Sequence, residues 1–186
     1  MRHENVFAMF FISVMSAGCS DGGDQPFDAS NPETLRDWVA KYHNIEAGHI
    51  RFDHGVLSLD VPGTADIDRI FDAGQRTHRL LAGFKKAAND KTVIKKLRYV
   101  YSQELVDHYQ NRLGAMPFVT ISFDVPECLK FDMENSGGAH MIETATTEFT
   151  RPSGFDVVAK SCGGTMGKYS PVFCTSQFEK LIQKKH

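Results

Sequence analysis

Ile50-Arg51-Phe52-Asp53-His54-Gly55-Val56-Leu57-Ser58-Leu59-Asp60-Val61 is the stretch on which the fold class of this chain turns. Ile50 and Phe52 alternate with polar neighbours, Asp53-His54-Gly55 supplies a turn, and Leu57, Leu59 and Val61 alternate again. The segment from His49 to Val61 therefore predicts a β-hairpin. Upstream, Ser30-Asn31-Pro32-Glu33 has the form of a capping box with proline in the first turn. Leu35, Trp38, Val39 and Tyr42 follow at helical spacing, so a helix should begin at Ser30. Downstream, Pro62-Gly63 ends the hairpin and Thr64 can cap a second helix, with Asp66 and Asp68 in its first turn. Ile67, Ile70, Phe71, Gly74, Leu81 and Phe84 keep the 3.6-residue period through it.

Farther along, Lys91 to Leu113 carries two patterns at once. Leu97, Tyr99 and Tyr101 alternate like a strand, while Ile94, Leu97, Tyr101, Leu105, Tyr109 and Leu113 fit one helical face. The expectation is a strand through Tyr101 and a helix from about Ser102, ended by Gly114. After Pro117 the pattern is β: Val119, Ile121 and Phe123 alternate with Thr120 and Ser122. Further strands are expected near Cys128 to Met133, His140 to Phe149 and Phe155 to Ser161. Ser176-Gln177-Phe178-Glu179 forms a second capping box before a terminal helix with Phe178, Leu181 and Ile182 inward. Helices interleaved with hairpins and late strands predict a single α+β domain over 30–186, a mostly antiparallel sheet packed against three or four helices.

The totals agree with one globular domain. A chain of 186 residues is too short for two comfortable ones, and 14 Phe with 41% hydrophobic residues supply core material that a disordered chain lacks. A net charge of -2 gives no reason to expect a nucleic-acid partner. No run approaches the length of about 18 apolar residues that a membrane-spanning helix needs.

The N-terminus has a different character. Met1-Arg2-His3-Glu4-Asn5 is a short charged head, Val6 to Met15 an apolar run, and Ser16-Ala17-Gly18-Cys19 a series of small residues ending in cysteine. These are the parts of a secretory signal. The ending resembles the lipobox of bacterial prolipoproteins, with Ala17, Gly18 and Cys19 at its last three positions and Ser16 where Leu is usual. The resemblance implies a signal peptide over 1–18, removed before Cys19, and a diacylglyceryl group on the Cys19 thiol. It implies a protein held at the bacterial cell envelope, facing the periplasm. Ser20 rather than Asp directly after the cysteine favours the outer membrane over the inner. Residues 19–29, polar and Gly-bearing, read as a flexible tether.

With Cys19 lipidated, Cys128, Cys162 and Cys174 remain, and an oxidising compartment allows one disulfide. Cys162 with Cys174 is favoured because a short Gly-rich loop joins them. Cys128 with Cys162 competes, and three reduced, buried cysteines are the alternative.

Motifs of catalysis are sparse. Cys162 to Lys168 is only superficially like a phosphate-binding loop, because Cys162 stands where Gly is needed and Tyr169 where Ser or Thr is. His49, His54, His108 and His140 lack the spacing of a metal site, and no HExxH occurs, so no metal or other cofactor is expected. Nothing local marks Cys128 as an activated nucleophile for His140. The charge distribution stands out more. From Arg76 to Arg98 eight basic residues face one acid, Asp90, whereas residues 20–75 hold eleven acids and four bases. Within the basic stretch Lys85, Lys86, Lys95 and Lys96 form a candidate binding patch; the alternative is a solvated surface neutralised by acidic neighbours. Two functional expectations follow. One is a non-catalytic envelope lipoprotein that binds another protein, as an accessory, inhibitor or immunity factor. The other is a small envelope hydrolase built from His54, His108 or His140 with a carboxylate or Cys128.

Overall fold

The structure is a computed structural model, and it describes residues 25–61, 67–106, 109–135, 137–164 and 166–179. Helix α1 (Pro32–His43) leads into the hairpin of β1 (Ile50–Asp53) and β2 (Val56–Val61). Helices α2 (Ile67–Phe71) and α3 (Ala73–Ala87) cross to β3 (Lys96–Val106), which turns into β4 (Arg112–Asp124). A short α4 (Val125–Cys128) and a 3-10 segment (Gly138–Thr144) precede β5 (Ala145–Phe149). Helices α5 (Pro152–Gly163), α6 (Met166–Tyr169) and α7 (Pro171–Phe173) follow, running into a π-helical stretch (Cys174–Glu179).

The five strands lie in chain order, and all neighbours are antiparallel except β2 with β3, which run parallel across the α2–α3 crossover. This is the expected α+β unit with a mostly antiparallel sheet; three of its helices, α1, α3 and α5, run for three turns or more. One sheet face is core. Leu57, Leu59, Leu97, Tyr99, Tyr101, Val119, Ile121 and Phe123 are buried there, while Ser58, Asp60, Arg98, Val100, Thr120 and Ser122 on the opposite face remain partly exposed. Period-2 alternation thus reads out directly as inside and outside.

The β1–β2 hairpin closes as its sequence requires. His54 (φ 48°) and Gly55 (φ 80°) both occupy the left-handed region, the two-residue turn whose twist matches the strands. In α1 the cap is Asn31 rather than Ser30: its Oδ1 accepts from the Glu33 and Thr34 backbone amides at 2.9 and 3.3 Å. Glu33 is consequently in the first turn, not at the position a box on Ser30 would give it. The end of the expected tether belongs to the fold. Ala29 is fully buried, Phe27 stacks on Trp38 at 4.8 Å, and the Phe27 amide donates to the Ala87 carbonyl.

The long helix expected from Thr64 is two helices, broken at Asp72 (ψ 3°); Thr64 and Asp66 lie outside the described residues. α3 then lies very close to the 3-10 segment. A Cβ on Gly74 would sit 2.8 Å from the Gly138 carbonyl oxygen, and one on Gly138 would sit 2.6 Å from the His78 Cβ, so two glycines permit the approach.

Five other expectations are corrected. No helix starts at Ser102: β3 continues to Val106, and Gly114 lies within β4. Two register shifts, which leave Phe118 and Leu113 without cross-strand partners, put the apolar residues out of simple alternation. Pro117, which has no amide to give the ladder, stands beside the first of them. No strand forms at Cys128 to Met133: Cys128 ends α4, which Asp124 caps and which holds Pro126 in its first turn, and turns follow. The strand expected at Phe155 to Ser161 is α5: Pro152 opens it, and Phe155, Val158 and Cys162 share a face at helical spacing. The expected strand at His140 to Phe149 is strand only from Ala145. Ser176 is no cap either; it lies inside a helical stretch, its hydroxyl donating to the Val172 carbonyl. Leu181 and Ile182 lie outside the described residues.

Candidate functional site

Cys19 and the whole of 1–18 lie outside the described residues. Among the described residues no helix is long and apolar enough to cross a membrane. Cys162 and Cys174 are joined by a disulfide, with Cα atoms 5.6 Å apart, clamping the end of α5 to the C-terminal helical stretch. Behind that clamp Gln177 reaches the sheet, accepting from the Thr147 hydroxyl at 3.1 Å and donating to the Ile142 carbonyl at 2.6 Å. Cys128 is a free, buried thiol 3.4 Å from the Thr144 hydroxyl, and burial raises its pKa. That is the opposite of an activated nucleophile.

Among the described residues the histidines named for catalysis do not converge. His54 pairs with its neighbour Asp53 at 2.6 Å on the exposed hairpin turn, where the hydrogen bond and charge of Asp53 raise its pKa. His140 pairs with Glu143 at 2.9 Å, also exposed. His49 lies 3.8 Å from Glu46, and His108 is outside the described residues. Each described pair is a local contact in sequence, within three residues. Among the described residues no three His, Cys, Asp or Glu side chains gather as a metal site requires.

Lys85 and Lys86 end α3, Lys96 starts β3 and Lys95 stands directly before it, all four exposed. Because α3 runs back against the parallel strands, both pairs sit toward the same end of the sheet. Acidic residues stand near three of the four. Lys85 and Lys86 line a shallow depression with Asp132 and Glu134, where Asn135, the local amides and Lys85 together lower the Asp132 pKa. Lys96 pairs in register with Asp124 on β4. The acids near Lys85 and Lys86 are downstream ones, whereas Arg76 of the same basic stretch pairs with Asp72.

A feature the sequence reading missed is the outer half of the β3–β4 hairpin. β2 accompanies β3 only to Tyr101, and β5 accompanies β4 only to Val119. From Ser102 to Pro117 the two strands run on as a ribbon that neither β2 nor β5 accompanies. Five residues of strand carry it about 17 Å. Tyr109 near its tip is 73% exposed, and Ala115, Met116 and Pro117 are exposed along β4. A cross-strand ion pair, Glu104 to Arg112 at 3.7 Å, and the Arg151 guanidinium against the Met116 sulfur brace it. A two-stranded hairpin is marginally stable alone. An arm of this form suits contact with another macromolecule.

No family model, curated protein or solved structure matches the chain.

Proposed function

We propose that the chain is an exported bacterial lipoprotein, anchored through lipid on Cys19, whose α+β domain binds a protein partner at the cell envelope without catalysing a reaction on it. The N-terminal segment from Arg2 to Cys19 supports the anchor, and the Cys162–Cys174 disulfide suits an oxidising compartment. Two or three acyl chains at about 0.8 kcal/mol per buried methylene would hold it durably, in the outer membrane by the Ser20 rule stated above. The observation that carries the binding half is the unaccompanied β3–β4 arm with Tyr109 near its tip, since aromatic side chains dominate the energetics of protein contacts.

Two measurements test the halves separately. Intact mass of the protein from its native host should begin at an acylated Cys19; a free thiol there, or residues 1–18 still attached, removes the anchor. A photoreactive residue at Tyr109 should cross-link one defined envelope protein, and the same residue at Glu148 on β5 should not. Equal labelling from both positions removes the arm from the contact. Reversing charge at Lys85, Lys86, Lys95 and Lys96 tests the patch in the same assay: unchanged capture assigns those lysines to the solvated surface.

A further inference from the structure

A cleft of about 400 Å³ opens where the end of α1 meets the end of β2 and the crossover helices α2 and α3. It lies outside the C-terminal end of β2, in the one parallel unit of the sheet, a position where strand–helix crossovers commonly receive ligands. His43, Arg69 and Arg76 line it with Glu46, His49 and Asp60. The carboxylates are mostly engaged. Asp60 accepts from the Arg51 guanidinium through both oxygens, at 2.9 and 3.0 Å, and Glu46 faces His49. Asp72 comes within 3.6 Å of Arg76 Nε, but no hydrogen bond forms.

Two polar atoms of this wall are left over. His43 Nε2 and Arg76 Nε are both shut off from solvent, and neither has a hydrogen-bond partner. In native proteins such atoms are generally met by ordered water or a bound group, and these two share one cleft. Their common need is set by charge. Arg76 and Arg79 stand close enough to His43 that, after burial itself, they hold its pKa down to about 4. The ring is neutral at pH 7, and the wall beside it is positive. A guanidinium matches the oxygens of a carboxylate or phosphate in two-pronged fashion, and a cleft of this volume takes a small molecule rather than a chain.

We propose that this cleft is a binding site for a small oxyanion, a carboxylate or phosphate group held between Arg76 and His43 with Arg69 completing the cationic wall. The site is independent of the arm and of the lipid anchor. An anion seated there would oppose the positive field on His43. The charges that bear on this ring are Arg76 and Arg79; the cleft's other titratable groups are Arg69, Glu46, His49 and Asp60, and Asp72 stands beside Arg76.

The test follows the His43 ring signals by NMR in the full chain purified in detergent. Sodium phosphate and sodium acetate are added in separate arms, each against sodium chloride at equal ionic strength. Saturable shifts are expected in one or both oxyanion arms, with a His43 pKa raised by about one unit or more at saturation. The stronger arm names the chemistry: phosphate for a phosphorylated ligand, acetate for a carboxylate. Arg76→Gln should weaken that binding at least about tenfold, and Arg76→Lys, which keeps charge but loses the fork, should fall between. A response in both arms no different from chloride up to about 50 mM overturns the site, as does undiminished affinity in Arg76→Gln. Should Arg76→Gln fail to fold, the wild-type comparison with chloride decides alone.

Discussion

The β3–β4 ladder is one hairpin in two environments. From Leu97 to Tyr101 and from Val119 to Phe123 it lies between β2 and β5 with its inward side chains buried under the helices. From Ser102 to Pro117 the same strands run on with no third strand beside them among the described residues. Local hydrogen bonding continues across the boundary, but none of the described side chains from Ser102 to Pro117 is buried. Strand identity in the arm is therefore inherited from the ladder, whereas in the body it is secured by the core. That difference explains the misreading of Ser102 to Leu113 as a helix. Where a strand has one buried face, alternation is enforced; in the arm two register shifts break it.

Several measurements would break or sharpen this contrast. The largest effect belongs to the body: Phe123→Ala empties a fully buried site against Tyr99 and should cost about 3–5 kcal/mol in chemical denaturation. A loss under about 1 kcal/mol would mean that the body is no better packed than the arm. Next is the clamp on the helical segment beside β5. Replacing Cys162 and Cys174 by Ser should lower stability by about 3 kcal/mol, the chain-entropy value for a 12-residue separation. An unchanged melting temperature would show that Gln177 and its neighbours hold that segment unaided.

The third concerns pH. His43 packs edge-on to Tyr99 at 6.5 Å, so protonating it strikes the body and spares the arm. Its folded pKa, about 4, lies below the unfolded value of 6.5, so between these pH values the unfolded chain binds more protons. Stability is thus fully present above pH 6.5 and declines as pH falls toward 4. With the ring partly exposed, about 2 kcal/mol is expected, and His43→Gln should flatten that limb of the profile. A wild-type curve flat from pH 7 to 4 would contradict the placement of His43 beside the arginines. The smallest effect belongs to the arm. Tyr109→Ala should change stability by less than about 0.5 kcal/mol while reducing partner capture. A large stability loss there would show that the tip is part of the fold after all.

Much of the fold was legible from residues that act locally. Asn31-Pro32, Asp53-His54-Gly55 and the alternation of Leu57, Leu59 and Val61 specify a cap, a turn and a strand through their own backbone preferences. Proline misled where it was given too little weight: Pro152 opens the helix that covers Phe155 to Ser161, a stretch read as strand. The cysteine pair was legible because a short loop limits how far its ends can separate. The cleft was not. His43, Asp60, Arg69 and Arg76 come from four different elements, and none bears a spacing signal toward another.

Local chemistry, written in consecutive residues, was enough to predict the α+β class, the hairpin at Ile50–Val61 and the cysteine partners, and it supplies the case for an export segment ending at Cys19. Long-range packing alone decided that Lys85 and Lys86 face Asp132, that the β3–β4 arm stands clear of the sheet, and that His43 and Arg76 share one wall. Turns and periodicities are fixed by sterics over a few residues. Which charges meet, and which surfaces stay uncovered, depends on how the whole chain closes around a single core.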